Sequence, residues 1–202
     1  MAGPRSEARR YAVLALYQWQ VSGLPPAEIE RHFFDDPAWI EAVAEAMAEA
    51  AADAAQDAAD RAASQREGQG SGRTNATGAE RPRPPAAAVP ANTARKFDLT
   101  LFAQLLRGVP EQADAIDDAL RPLLDRSLQS LDPVERAILR IGAYELLFSP
   151  ELPVRVVINE AIELAKAFGA EQGHRYVNGV LDQVARAVRT EELAAQRDRT
   201  RR

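Results

Sequence analysis

Side chains that could do chemistry are few in this chain. Its two histidines, His32 and His174, fall in separate predicted helices, each among polar neighbours. Nucleophilic catalysis needs such a base beside a Ser, Thr or Cys, with a third group to orient it. The chain has no Cys, and neither histidine has that company in sequence. Both read as ordinary surface or helix-end histidines. Metal sites in helical bundles use inward carboxylates with Glu-x-x-His pairs. Glu171-Gln172-Gly173-His174 has that spacing, and Glu160 and Glu163 lie at helical spacing. The first match straddles a loop-to-helix junction with a glycine inside it, and it has no second copy. Neither GxxxxGK[ST] nor GxGxxG occurs, and no strand precedes the glycines of residues 68–72. The expectation is a non-catalytic protein with no metal site and no cofactor.

Binding chemistry is better represented. Arg175 and Tyr176 open a predicted helix, and an exposed Arg beside an aromatic suits single-stranded RNA: the ring stacks on a base and the cation meets a phosphate. The plainer alternative is a half-buried Tyr with the Arg stem lying along apolar surface. Net charge is −5, yet Arg5, Arg9 and Arg10 cluster at the start against Glu7 alone. From Arg186 onward six Arg face Glu191, Glu192 and Asp198. Basic chain ends can meet phosphate, or simply solvate helix ends. Two further features stand out. Asn159 lies near the apolar side of its helix, and Asn178-Gly179 interrupts an otherwise continuous apolar period. A helical Gly costs about 1 kcal/mol relative to Ala, so close approach of another backbone is expected at Gly179. Asn178 would then pair with Asn159 or a backbone group across that contact.

The elements that must position these groups are helical throughout. A chain of 202 residues that is 46% hydrophobic but only 6% aromatic makes one compact domain with a large insertion, or at most two small ones. Lack of Cys excludes disulfides and fits a reducing cytoplasm. Residues 1–10 are polar, the apolar run of residues 11–21 is broken by Gln18 and Gln20, and no stretch is apolar enough to span a bilayer. Ser6 is the expected N-cap of a first helix burying Val13, Leu14, Tyr17 and Val21, ended by Gly23, Pro25 and Pro26. A short helix over residues 27–34 follows, and Asp36-Pro37 starts a third. That helix enters an Ala-rich stretch whose Glu41, Glu45, Glu49, Asp53 and Asp57 recur every four residues. The Gly, Ser, Pro and Arg of residues 68–90 have no apolar period, so residues 49–95 read as a partly disordered insertion.

Beyond it, Phe97, Leu101, Phe102, Leu105 and Leu106 form an apolar face that Gly108 closes. Pro110 is expected to open the next helix, with Ile116, Leu120, Leu123 and Leu124 inward and Pro122 kinking or dividing it. Ser130-Leu131-Asp132-Pro133-Val134-Glu135 carries three agreeing start signals: Asp132 as cap, Pro133 at the first position, and Glu135 at capping-box spacing on an exposed first turn. Ile138, Ile141, Tyr144, Leu147 and Phe148 continue its buried stripe. Helices over residues 154–168, closed by Gly169, and 174–188, with Val177, Leu181, Val184 and Val188 inward, complete the pattern. No β alternation survives, and the fold class is all-α.

Four ordered blocks carry a family resemblance: Arg9-Arg10-Tyr11-Ala12-Val13-Leu14-Ala15-Leu16-Tyr17-Gln18-Trp19-Gln20; Val134-Glu135-Arg136-Ala137-Ile138-Leu139-Arg140-Ile141-Gly142-Ala143-Tyr144-Glu145-Leu146; Val157-Ile158-Asn159-Glu160-Ala161-Ile162-Glu163-Leu164-Ala165-Lys166-Ala167-Phe168-Gly169-Ala170-Glu171; and Tyr176-Val177-Asn178-Gly179-Val180-Leu181-Asp182. Together they resemble the NusB family over residues 5–48 and 96–189. The resemblance implies two small three-helix bundles, residues 1–48 and 96–189, separated by the insertion of residues 49–95 and followed by a basic tail, residues 190–202. It implies a transcription antitermination factor that binds the boxA element of ribosomal RNA operons with NusE, alongside NusA and NusG, and catalyses nothing. The family's RNA surface maps onto Arg5, Arg9, Arg10, Arg175 and Tyr176, and its NusE-facing surface onto Tyr17 and Glu135. Two departures stand beside this: Glu7 interrupts a thin N-terminal Arg cluster, and the Ala-rich insertion is not a general family feature. A related fold also serves as the RNA-binding domain of some ribosomal RNA cytosine methyltransferases; without a Cys nucleophile, that alternative is expected only if the chain is a fragment. A homodimer covering the RNA surface is the alternative assembly.

Overall fold

A proline presets the first helical turn, and α1 (Pro4–Ser22) begins on one, with Gly3 as a cap that offers no side chain. The computed structural model describes residues 3–36, 38, 42, 43, 45, 46, 49, 97–168 and 173–194. Ser6, the expected cap, sits inside the helix, and its hydroxyl donates instead to Glu160 Oε1 at 3.0 Å. At the other end Gly23 takes φ 69°, and its N–H reaches the Trp19 carbonyl at 3.0 Å. Only Gly adopts that left-handed conformation at no steric cost. Val21, expected inward, lies past the core and is exposed.

The N-terminal group is held by aromatic rings. α2 (Pro26–Asp35) buries Ile29 and Phe33, and Phe33 stacks on Phe102 at 4.4 Å while Tyr11 and Phe97 meet it edge-on. α3 (Leu99–Glu111) starts on Asp98, whose carboxylate accepts from the Leu101 N–H and whose own N–H reaches the Pro4 carbonyl, each at 3.0 Å. This helix runs through Gly108 and Pro110 rather than breaking there. The glycine serves packing: a Cβ on it would lie 2.6 Å from Tyr144 Cζ. Pro110 removes one hydrogen bond, and the helix ends within two residues.

α4 (Ala113–Leu120) gives way at Pro122 to a single 3-10 turn, Arg121–Leu123; a second, Leu128–Ser130, precedes α5 (Pro133–Phe148). Asp132 caps α5 as its sequence demands, accepting from the Val134 and Glu135 N–H groups at 2.8 and 3.2 Å. α6 (Val154–Ala167) and α7 (Gly173–Val188) pack on α5 and on each other, while α5 also rests on α1. One continuous core therefore joins both helical groups. Phe148, Val156 and Val188 emerge at its edge. Among the described residues there is no strand.

The backbone approach expected at Gly179 is absent, and the crowded glycine is Gly142, packed against a side chain. A Cβ on Gly142 would lie 2.5 Å from Leu181 Cδ1, whereas one on Gly179 would meet nothing within 4 Å. Val177, Val180, Leu181 and Val184 take the core face of α7, which turns Asn178 and Gly179 to solvent. Asn159 is exposed as well, so the expected burial of an Asn pair is overturned.

Where a basic tail was expected, the chain first makes a clasp. Arg189 donates to the carbonyls of Leu146 (2.7 Å), Ser149 (2.8 Å) and Pro150 (3.1 Å), at and just beyond the end of α5, where helical carbonyls lack intrahelical donors. Glu192 then accepts from the Val154 N–H at 2.9 Å, capping α6 where Pro153 offers no side-chain acceptor. The expectations for the Ala-rich insertion beyond Glu49, for Gly169 and Glu171, and for the arginines after residue 194 lie outside the described residues.

Candidate functional site

The arginines of α1 divide between interior and surface. Arg9 is only 2% exposed. Its Nε donates to both Glu145 oxygens at 3.0 and 3.1 Å, its Nη2 lies 2.8 Å from Glu145 Oε1, and its Nη1 lies 3.5 Å from Glu160 Oε2. Burial pushes the Glu145 carboxyl up, while the hydrogen bonds and charge of Arg9 pull it back. The residue expected on the RNA surface is therefore part of a buried ion pair tying α1 to α5 and α6. One turn earlier on the same face, Arg5 is 54% exposed and 4.0 Å from Asp98. Arg10 is half-buried with its guanidinium 5.9 Å from the Phe168 ring, at the end of α6.

A second cluster forms where the start of α7, the segment between the 3-10 turns and the start of α5 converge. Arg175 is exposed. Tyr176 is half-buried, and its hydroxyl donates to Asp125 Oδ1 at 3.0 Å. Burial raises this hydroxyl's pKa, as does the bond to Asp125, while Arg126 opposes both. The Arg126 guanidinium lies over the Tyr176 ring, 5.2 Å from its centre, a cation–π geometry. It is also 3.6 Å from Glu135. Glu135 was expected on an exposed turn, but its side chain is 14% exposed. Burial raises its pKa first, Arg126 lowers it, and Asp132 and Asp125 raise it again. Tyr17 is buried, and burial and then the charge of Asp132 raise its hydroxyl pKa. The cap of α5 thus gathers Tyr17 and Glu135 around Asp132, and Arg126 links Glu135 to Tyr176.

Sequence reasoning passed over Asp125 and Arg126. They lie between two 3-10 turns, where no helical period marks a face. It also passed over a polar junction at the end of α1. Gln20 accepts from Arg136 Nε (2.9 Å) and Arg140 Nη1 (2.8 Å) and donates to the Pro133 carbonyl (2.9 Å). Arg140 in turn grips Asp117 through two bonds and lies 5.3 Å from the Trp19 ring. Its one signal was Trp19-Gln20 at the close of an apolar run. Burial lowers the Arg136 pKa, followed by the charge of Arg140. Among the described residues no three His, Cys, Asp or Glu side chains gather as a metal would need, and no helix is long and apolar enough to cross a membrane.

A sequence model of the NusB family matches residues 79–186. The transcription antitermination protein NusB of Alkalilimnicola ehrlichii is 40% identical over 199 residues, spanning 98% of this chain and 90% of that protein. The NusB of Methylococcus capsulatus is 39% identical over 199 residues, spanning 98% and 99% of the two chains. That of Nitrosococcus oceani reaches 59% identity over 107 residues, 53% of this chain and 72% of its own. A solved structure of T. maritima NusB superposes with a TM-score of 0.53 at 25% identity, covering 96% of this chain and 99% of that one. The chain accordingly belongs to the NusB family of transcription antitermination proteins, non-catalytic factors that work with RNA and protein partners.

Proposed function

We propose that this protein binds the boxA element of nascent ribosomal RNA together with NusE in the cytoplasm, and through that complex, with NusA and NusG, keeps RNA polymerase processive. The observation that carries the reading is the Tyr176 ring at the start of α7, flanked in sequence by exposed Arg175 and overlain by Arg126, with its hydroxyl fixed on Asp125. An unstacked base gains about 1–3 kcal/mol by stacking on such a ring, and neighbouring guanidinium groups meet the phosphates. Arg5 and Arg10 supply further cationic contacts from α1. Arg9 has another part: held on Glu145, it fixes the helix that presents them. Tyr17 and Glu135 form the NusE-facing edge, with Glu135 offering its carboxylate to a donor on that partner.

Fluorescence anisotropy of a labelled boxA RNA against a scrambled RNA, with and without NusE, tests this. Tighter binding to boxA, strengthened by NusE, is the expected result. Equal and weak binding to both RNAs in both conditions would overturn the reading.

A further inference from the structure

Arg126 belongs to neither set of residues that the family resemblance singles out, yet it touches both. Its guanidinium lies 5.2 Å over the Tyr176 ring, 3.6 Å from Glu135 Oε2 and 3.7 Å from Asp125 Oδ1. Its side chain is 48% exposed. None of these contacts is tight. A well-seated guanidinium–carboxylate fork closes to about 2.7–2.9 Å, as Arg9 does on Glu145 at 2.8 Å. Arg126 is a loosely held cation shared by two acids and a ring.

We infer that Arg126 couples the RNA-binding and protein-binding surfaces by exchanging Glu135 for an RNA phosphate. In the free protein Arg126 and Glu135 neutralise one another. A phosphate beside the Tyr176-stacked base draws Arg126 away, and a cationic or N–H-donating group on the protein partner takes Glu135. Each ligand alone must separate the pair, but the second to arrive finds it already separated. The cost is met once, so each ligand tightens the other, by the same factor in both directions. Asp125, bonded to the Tyr176 hydroxyl at 3.0 Å, keeps the released guanidinium beside the ring instead of letting it swing into solvent. An ion pair this exposed corresponds to a coupling of about two- to five-fold. The inference rests on the function proposed above.

The test measures labelled boxA RNA binding to the full chain, without NusE and with NusE saturating for each variant. Arg126→Ala is expected to weaken binding to RNA alone, to flatten the slope of log K against log salt by about 0.7 for the lost phosphate contact, and to cut the tightening by NusE about two- to five-fold. Glu135→Gln is expected to do the opposite to RNA alone, tightening it about two-fold by releasing Arg126, and also to shrink the effect of NusE. A merely structural part for the pair would weaken RNA binding in both variants. Unchanged coupling in Arg126→Ala, or RNA binding by Glu135→Gln no tighter than in the unsubstituted chain, would overturn the inference. Failure of the unsubstituted chain to distinguish boxA from scrambled RNA would overturn the proposed function, and this inference with it.

Discussion

Among the Arg–Glu pairs that cross between described elements of this molecule, two differ in almost everything except residue type. Arg9–Glu145 joins α1 to α5 at 2.8 Å, with exposures of 2% and 1%. Arg126–Glu135 joins the 3-10 region to the start of α5 at 3.6 Å, with exposures of 48% and 14%. A buried guanidinium is tolerable only when its donors are met, and here three hydrogen bonds to one carboxylate meet them. A surface pair gains little, is screened by salt, and leaves both partners open to exchange. Burial, not residue type, therefore decides which arginine is scaffold and which is available to a ligand.

The strongest way to break this contrast is to remove each arginine in turn. Arg9→Ala leaves Glu145 buried and unpaired, and should cost about 3–5 kcal/mol of stability, read as a shift of the urea midpoint. Arg126→Ala should stay within about 0.5 kcal/mol of the unsubstituted protein. Comparable losses in the two variants would show that the contrast in burial does not govern their roles.

Arg189 sharpens the comparison because it lies between the two extremes, with its side chain 12% exposed. It donates to carbonyls rather than to a charge, except for Glu192 at 3.6 Å. Arg189→Ala should cost about 1.5–3 kcal/mol, the range for hydrogen bonds to a charged group. Accelerated hydrogen exchange confined to the end of α5 and the start of α6 would locate the loss. A stability unchanged by this substitution would mean that water replaces the clasp.

The sequence discloses signals whose partners are local and hides those whose partners are distant. The Asp132-Pro133 start of α5, the Gly23 end of α1 and the break at Pro122 were all legible, because a cap or a missing N–H acts within four residues. So were the apolar stripes that make the fold all-helical. Arg9 was misplaced because its partner is 136 residues away. Arg189 and Glu192 passed as solvated tail for the same reason, reaching 43 and 38 residues back. The candidate site was legible at Tyr176 and Glu135 through resemblance, but Arg126, which connects them, had no periodic setting to mark it.

The glycines repeat the lesson and allow a smaller test. Gly142→Ala forces a methyl against Leu181, and overpacking of this kind costs about 1–3 kcal/mol. Gly179→Ala, with open space around the new methyl, should stabilise the chain by about 0.5–1 kcal/mol through helix propensity. Thermal melts of the two variants should therefore move in opposite directions. A destabilised Gly179→Ala would restore the close approach that the sequence suggested there.

The smallest expected effect concerns the charge on Glu135. Burial holds its carboxyl above the ordinary value of 4.5, helped by Asp132 and Asp125 and opposed by Arg126. The folded chain then binds this proton more tightly than the unfolded chain does. Its contribution to stability is complete below the ordinary value and declines as pH rises through the raised one. Relative to Glu135→Gln, the unsubstituted protein should thus lose stability as pH climbs through that window. The upward displacement of Glu145 is common to both chains and cancels in the difference. Arg126→Ala removes the one charge opposing the shift, so the decline should reach to higher pH in that variant. Urea titrations at a series of pH values would show it. The same pH dependence with and without Arg126 would mean that the 3.6 Å contact carries no charge interaction, and the exposed pair would then lose the property that sets it against the buried one.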